Sequence, residues 1–393
     1  VVNYKSLEEQ QTASDSPVNE SLPPKRRFSF DGRFVLWLNY IAIACLLLSY
    51  LAPYVSPRIF WPMAFFGIAY PVLLLINLLF VAYWLIRWRM RFLYSFCVVL
   101  AGIHVLNSYV QFNPQSKADT GKNAKYKLKV MSFNTKLFDL YNWSHNLETR
   151  SKIFDMLKTE APDIICMQEF YNSDKGAFRN LDTLVKFQKA KYSHCEYTVT
   201  LRGTDHWGMA TFSSYPIVNR GHIDFNVRGN NSCIYSDIKI GDDTLRVYNM
   251  HLQSMHFSNS DYKFMQEFFD TKDVNELQGS RTILRRLKWA FKRRAGQSDI
   301  ISEHVRNCRY PVLLCGDFND TPASYAYHTL SRGLKDAFLE SGNGFGRTYY
   351  GKFPSFRIDY ILHNSSIPAW DFRTLVTDLS DHYPVSCMIG VGK

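Results

Sequence analysis

The sequence predicts a membrane-spanning helical region followed by one α/β (α+β) domain of two packed sheets flanked by helices. Three observations predict it. Residues 34–112 hold long apolar runs almost without charge. Residues 127–393 hold many short apolar runs of strand length. Few helical stretches separate those runs, a pattern that favours two sheets over a single parallel one.

Residues 1–33 are polar and carry the basic cluster Lys25, Arg26 and Arg27, the composition of a disordered cytoplasmic tail. Residues 34–52 have bilayer-spanning length and no charge; 60–84, interrupted by Pro62 and Pro71, and 92–112 are two further spans. A buried helical hairpin of a soluble protein competes with this reading, but such helices rarely stay uncharged for so long. A signal peptide fits less well, because a long tail precedes the first run and further runs follow it.

Basic residues set the orientation. Lys25, Arg26, Arg27 and Arg33 precede the first span, and Arg87, Arg89 and Arg91 separate the second from the third. Both segments are expected in the cytoplasm, which makes this an integral, multi-pass protein with its large domain extracytoplasmic. Lys117, Lys122, Lys125, Lys127 and Lys129 pull the other way, although long domains translocate largely regardless of charge.

Residues 113–126, with Pro, Gln, Ser, Asp and Gly, read as a linker. Residues 127–393 suit one domain. No repeat and no zinc-type cysteine spacing occurs. Cys45 and Cys97 lie inside spans; Cys166, Cys315 and Cys387 fall in strand-like runs and read as core thiols, while a disulfide among Cys195, Cys233 and Cys308 stays open.

Within the domain "KLKVMSFNT", "IICMQEF", "GMATFSS", "TLRVYNMHL", "VLLCGDF", "FRIDYIL" and "PVSCMIG" read as strands. "LETRSKIFDMLKTEAPD" and residues 280–306 read as helices. Thr321-Pro322 opens another, with Thr321 as N-cap.

The strand ends carry the chemistry. They deliver Asn134, Glu169 beside Gln168, Asn249 with His251, Asp317 with Asn319, Asp359, and Asp381 with His382. Residues at i and i+2 leave a strand on one face, so Asp317 and Asn319 converge. Each has a bland alternative: a surface carboxylate, a core histidine, a turn asparagine, a strand cap. Asp359 resists it, since a carboxylate within an apolar strand needs a partner.

Taken in order, "SFNT … QE … GMATFSSYPI … NMHL … GDFND … RIDYIL … SDHYPV" resembles the endonuclease/exonuclease/phosphatase superfamily, which includes deoxyribonuclease I and the neutral sphingomyelinases. The likeness covers residues 127–391. It implies a four-layer α/β/β/α sandwich of two antiparallel sheets with the site at one rim. It also implies Mg²⁺, with Mn²⁺ as a substitute, held by Glu169 and Asn134, with Asp381 as a second metal or water-positioning carboxylate. Asp317 would activate water, Asn319 bind a phosphate oxygen, Asp359 orient His382, and His251 stabilise phosphoryl oxygens or protonate the leaving oxygen. Asp205 lies near where a carboxylate behind His251 is expected, and Asn249 is a candidate substrate contact. His251 stands where apurinic endonucleases have tyrosine, and "RIDYIL" lacks the Asp-Arg pair of inositol polyphosphate 5-phosphatases.

The inventory fits phosphoester hydrolysis on its own terms: Mg²⁺ prefers oxygen ligands, and histidine titrates near working pH. "SRTILRRLKWAFKRR", residues 280–294, reads as a basic amphipathic helix whose Arg285 and Arg286 are candidate substrate contacts. A solvated face, anionic headgroups or a nucleic-acid backbone would each suit it, and the net charge of +11 excludes none of these. The expected partners are a phosphodiester substrate and the lipid bilayer, with no protein partner indicated. A lipid phosphodiester is favoured by tethering; a DNA or RNA nuclease, and a non-catalytic membrane scaffold on a retired fold, are the alternatives.

Overall fold

The computed structural model describes residues 32–113, 123–187, 191–225, 231–255, 276–350 and 356–392. The tail and most of the linker lie outside them. The helical region contains α1 (Gly32–Leu51), a 3-10 turn (Ala52–Tyr54), α2 (Pro57–Phe60), α3 (Met63–Ile86), α4 (Phe92–Ala101) and α5 (Ile103–Asn107). Among the described residues only α1 and α3 are long and apolar enough to cross a bilayer.

Two expectations change here. The run at 60–84 becomes a helix over Met63–Ile86, with Pro62 at its N-cap and Pro71 inside it. The run at 92–112 is not one helix. It breaks at Gly102, where an added Cβ would lie 2.2 Å from the Tyr50 ring, and ends in strand β1 (Gln111–Phe112). That close approach requires glycine, and glycine weakens the helix at the same place.

The helical region is apolar outside and buries a polar cluster beside its apolar core. Asn39, Asn77 and Ser95 are buried, and their side chains form a hydrogen-bonded chain: Trp84 Nε1 to Asn39 Oδ1 at 2.9 Å, Asn39 Nδ2 to Ser95 Oγ at 2.6 Å, and Ser95 Oγ to Asn77 Oδ1 at 3.1 Å. Trp37, Ile41, Val72, Leu75 and Leu79 face outward.

The domain is built on two six-stranded sheets. One contains β2 (Tyr126–Asn134), β3 (Ile164–Ser173), β4 (Tyr192–Leu201), β5 (Asp205–Ser213), β13 (Ala369–Thr374) and β14 (Val385–Val391), in the order β13-β14-β2-β3-β5-β4. The other contains β6 (Ile217–His222), β7 (Ser232–Ile240), β8 (Asp243–His251), β9 (Val312–Asp317), β10 (Leu334–Asp336) and β12 (Asp359–Asn364), in the order β10-β12-β9-β8-β7-β6. All seven expected strands form.

The sheets are mixed rather than antiparallel. β2 pairs parallel with β3, and β8 with β9. The cause is local: α6 (Thr149–Glu160) carries the chain from β2 back to the start of β3, and α8 (Glu276–Arg306) lies on the connection from β8 to β9. A crossover of that length yields a parallel neighbour where a hairpin would yield an antiparallel one.

Alternate residues explain why these strands are apolar on both faces. Val130, Ile164, Cys166, Leu313 and Cys315 pack in the core between the sheets. Met131, Ile165 and Met167 turn the other way, against Ile153 and Leu157 of α6 and Leu184 of α7 (Asn180–Phe187). Val312 and Leu314 likewise meet Ile301 of α8 and Ala326 and Leu330 of α9 (Tyr325–Leu330). Helices therefore lie outside both sheets, a sandwich with two covered outer faces. All eight cysteines are free, so no disulfide joins Cys195, Cys233 and Cys308.

Helix α9 starts at Tyr325, with Ser324 Oγ accepting from Tyr327 N at 3.1 Å. Thr321 is therefore not the N-cap: it closes a turn with Ser324, whose N–H donates to the Thr321 carbonyl at 3.0 Å.

The basic stripe also divides. Arg281, Arg285, Lys288 and Lys292 are exposed on α8, whereas Arg294 is fully buried.

Candidate active site

β2, β3, β8 and β9 are neighbours across the two sheets, and their C-terminal ends bring the polar residues to one rim. Asn134 pairs with Gln168 across β2 and β3, and His251 pairs with Asp317 across β8 and β9. Asp359 opens β12 directly opposite Asp317. Like charges at such paired positions repel, and a cation is needed between them. His382 supplies it: its Nδ1 lies 3.0 Å from Asp359 Oδ2, and its Nε2 lies 3.7 Å from Asp317 Oδ2. Burial by itself would push the His382 imidazolium pKa down. The carboxylates of Asp359 and Asp317 outweigh burial and hold it up at about 10. Burial raises the Asp317 carboxyl to about 6, and Asp359 adds to the rise, against the opposing pull of His382 and His251.

Glu169 enters through a backbone irregularity. The register of β3 against β5 shifts between Met167 and Phe170, and Glu169 adopts a left-handed φ of 47°. A bulge of this kind turns the side chain from the strand alternation toward the rim. Asn134 joins the two carboxylates, its Nδ2 donating to Glu169 Oε1 at 3.3 Å and to Asp317 Oδ2 at 3.1 Å. Asp381 forms an ion pair with Lys136 Nζ at 2.9 Å. Burial and the Asp381 charge push the Glu169 carboxyl up; on Asp381, His382 and Lys136 overcome the burial effect and hold it low. His251 Nε2 lies 3.6 Å from Asp317 Oδ2 and 3.8 Å from Glu169 Oε1.

The donor set fits a hard divalent cation. Asn134, Glu169 and Asp381 offer oxygen, and Glu169 carries a charge that its surroundings do not fully compensate, which a cation such as Mg²⁺ would relieve. Asp317, Asp359 and His382 form a second candidate group, with one ligand atom each within 4.8 Å of the others. There the imidazole already bridges the two carboxylates, the arrangement of an oriented acid–base pair.

The sequence missed several supporting residues. Thr348 Oγ1 accepts from Asp359 N at 3.0 Å, and the Ser380 hydroxyl donates to the Asn134 carbonyl at 2.9 Å and accepts from His382 N at 3.2 Å. Lys136, two residues after Asn134, was open to the same spacing argument as the other site residues.

Three expected site residues have partners within the fold. Asn319 does not leave β9 by strand alternation; it lies past the strand end at a left-handed φ of 53°. Its N–H donates to Asp317 Oδ1 at 2.8 Å, and its Nδ2 donates to Leu252 O at 3.0 Å and Asp317 Oδ2 at 3.2 Å, so both amide hydrogens brace the loop. Asn249 is fully buried between the sheets. It donates to Met167 O and Ala210 O and accepts from Gln168 Nε2 at 2.7 Å, which makes it a cross-sheet tie instead of a substrate contact. Asp205 accepts from Tyr171 Oη at 2.8 Å, a partner on β3 in place of His251. Arg285 is exposed and Arg286 half-buried on α8, a helix that packs toward the helical region through Lys288 on Trp61 and Phe291 on Phe65.

Carboxylates, amides and imidazoles gathered at one rim of a two-sheet sandwich define a class of metal-dependent phosphoesterases. Residues 131–382 match the family model of the Endonuclease/Exonuclease/phosphatase family, and the chain belongs to that family. Residues 32–109 match a second model, described only as a domain of unknown function. No curated protein sequence matches the chain. Among solved structures it is similar to an endonuclease/exonuclease/phosphatase from Beutenbergia cavernae DSM 12333, at 16% identity and a TM-score of 0.48, covering 68% of this chain and 72% of that one. It is also similar to the human Nocturnin catalytic domain with bound sulfate, at 16% identity and a TM-score of 0.47, covering 68% and 95%. A family protein from Bacteroides thetaiotaomicron gives 17%, 0.47, 68% and 99%.

Proposed function

We propose that the protein is a membrane-anchored, Mg²⁺-dependent phosphodiesterase whose site faces the extracytoplasmic side. The observation that carries this is the oxygen set of Asn134, Glu169 and Asp381 beside the Asp317–His382–Asp359 chain at one rim. A bound Mg²⁺ would neutralise charge on the phosphoryl oxygens.

The chain's own residues divide the remaining work. The ionised Asp317 carboxylate accepts a proton from water, while Asn319 and Asn134 fix its two oxygens. His382 stays protonated, held by Asp359, and offers Nε2–H to the phosphoryl group or to the leaving oxygen. His251, beside Asp317 and Glu169, supplies the second imidazole.

The bundle's polarity supports the anchor. Outward Leu, Ile and Trp around buried Asn and Ser is the arrangement favoured in lipid, where polar side chains link helices. Arg91 Nη1 donates to the Gly32 carbonyl at 3.3 Å, so the basic segment after α3 and the start of α1 share one end. Trp61, just before α3, and Phe65, in its first turn, lie at the opposite end and touch the catalytic domain. Arginine at the distal end supports an extracytoplasmic site.

A lipid phosphodiester is the favoured substrate, because the exposed Arg281, Arg285, Lys288 and Lys292 lie on a helix packed at the domain end of α3, beside the headgroups. The test is hydrolysis by the full chain, with Mg²⁺ or chelator, of an aryl phosphodiester, sphingomyelin vesicles, DNA and RNA. Mg²⁺-dependent turnover lost in Glu169→Ala and His382→Ala is expected. Preference for DNA or RNA would replace the lipid assignment with a nuclease. A folded chain that neither binds Mg²⁺ nor turns over any of them is a scaffold.

A further inference from the structure

The loop that carries Asp317 and Asn319 continues into a turn, residues 320–324, whose far side lies inside the helical region. Ala323 is fully buried, and its core neighbours are Leu46 of α1, Tyr70 of α3 and Val105 of α5. Gly67 on α3 permits the approach: a Cβ there would lie 2.4 Å from the Ala323 carbonyl oxygen and 3.2 Å from Ala52 Cβ. A contact of 2.4 Å against a backbone oxygen cannot be absorbed by rotating a side chain, so any larger residue must displace α3 or the turn.

Other contacts hold the same edge. The Tyr109 ring packs tilted against Tyr70, centroids 5.1 Å apart, and its buried hydroxyl lies beside Thr321 and Ala323, though no aligned hydrogen bond forms. Ser108 O accepts from Arg357 Nη2 at 2.9 Å, two residues before Asp359. β1 pairs with β11 (Asn343–Gly344), and Tyr54 meets His328 at 4.5 Å. On its other side the turn is continuous with Asp317 and Asn319. The catalytic carboxylate and its brace are thus seated on a turn whose back wall is the apolar helical region.

We propose that this region is a positioning part of the active site as well as an anchor, with Gly67 and Tyr109 fixing the 320–324 turn and, through it, Asp317 and Asn319. Gly67 and Tyr109 touch no reacting atom and are positioning residues. The kinetic side rests on the phosphodiesterase reading; the structural side does not.

The test uses the full chain in lipid nanodiscs. Gly67→Ala and Tyr109→Leu are compared with Leu75→Ala, an outward residue on the same helix. Hydrogen exchange is measured for peptides covering 316–324 and, as a reference, 164–173 around Glu169. Turnover of an aryl phosphodiester is measured alongside. Faster exchange in 316–324 alone is expected, with kcat reduced about tenfold, KM within about twofold, and Leu75→Ala unchanged, since small displacements of a catalytic group carry losses of that order. Tyr109→Leu preserves the test where Gly67→Ala fails to fold. Unchanged exchange at 316–324 in the folded variants overturns the proposal. Absence of turnover in the parent protein counts against the phosphodiesterase reading alone, since the exchange data still decide the positioning role.

Discussion

Arg294 Nε donates to Asp320 Oδ2 at 3.0 Å, and its Nη1 donates to the Gln253 carbonyl at 3.0 Å, with the guanidinium wholly out of solvent. One side chain of α8 therefore joins the loop after His251 to the loop after Asp317. Tyr360 Oη, donating to the Asp320 carbonyl at 2.9 Å, closes the same corner. Removing one partner of a buried ion pair leaves the other charge uncompensated, at a cost of about 3–5 kcal/mol. Arg294→Ala is expected to lose that much stability in denaturation of the full chain. Arg294→Met combined with Asp320→Leu is expected to recover most of it, because no charge is stranded. Equal losses in the single and double variants would rule out the pair as the cause.

That pair marks where sequence reasoning ran out. Arg294 stands among seven bases in residues 280–294, and nothing in its spacing separates it from the exposed Lys292. Only the packed position of α8 over Asp320 does. Asp359, by contrast, was legible because a carboxylate in an apolar strand demands a partner, and His382 is that partner at 3.0 Å. The place of Glu169 and Asp381 at the rim was legible through their ordered motifs. Asn249 misled for a physical reason. It shares the face of His251, but lies two residues further from the rim, where that face is closed by the other sheet. The parallel pairs were missed since strand-like runs do not state their direction; the crossover helices α6 and α8 do.

Two histidines should shape metal-free stability in opposite senses. His194 is buried against Ser236, and burial, with Arg220 and His222 adding to it, pushes its pKa down to about 4. Its contribution is present above the unfolded value near 6.5 and is lost as pH falls toward 4. His382, held up at about 10 against burial by Asp359 and Asp317, contributes below pH 6.5 and loses that contribution as pH rises toward 10. Each change is roughly 3–5 kcal/mol. Denaturation midpoints in chelator should therefore peak near neutrality. His194→Gln should flatten the acid limb and His382→Gln the alkaline limb; curves that stay parallel to the parent's would refute both assignments.

Glu169 should matter to cation binding more than any amide beside it. Unlike that of Asp381, which is paired with Lys136, its carboxylate has no cationic ion-pair partner among the described residues closer than His251 at 3.8 Å, and burial and Asp381 push its carboxyl up. Glu169→Gln keeps the shape and removes the charge. Mn²⁺ binding followed by electron paramagnetic resonance should weaken more than tenfold, in line with the charge dependence of hard-cation sites. Asp359→Asn should leave Mn²⁺ affinity close to the parent value while lowering kcat by about 10²–10⁴, the range for a mispositioned acid–base group. If Asp359→Asn abolished Mn²⁺ binding instead, the cation would belong with Asp317, Asp359 and His382.

The membrane reading makes a topological prediction from the direction of each helix. α1 leads away from the end that holds Gly32 and Arg91, α3 returns to it, and α4 with α5 leads away again toward β1 and the catalytic domain. That third passage covers residues 92–107, about 24 Å of helix, short of a full hydrocarbon core. Its polar Ser95 is satisfied inside the bundle by Asn39 and Asn77. With α4 and α5 as a third passage, the N-terminal residues and the catalytic domain would lie on opposite sides. Lys5→Cys in the tail and Lys175→Cys on the domain surface, each labelled in intact and in permeabilised cells with a membrane-impermeant maleimide, distinguish the sides. Position 175 should label in intact cells and position 5 only after permeabilisation. The reverse pattern would turn the catalytic rim toward the cytoplasm, and labelling of both in intact cells would mean an even number of crossings. Extraction of the chain by alkaline carbonate would remove the spanning helices from the account altogether.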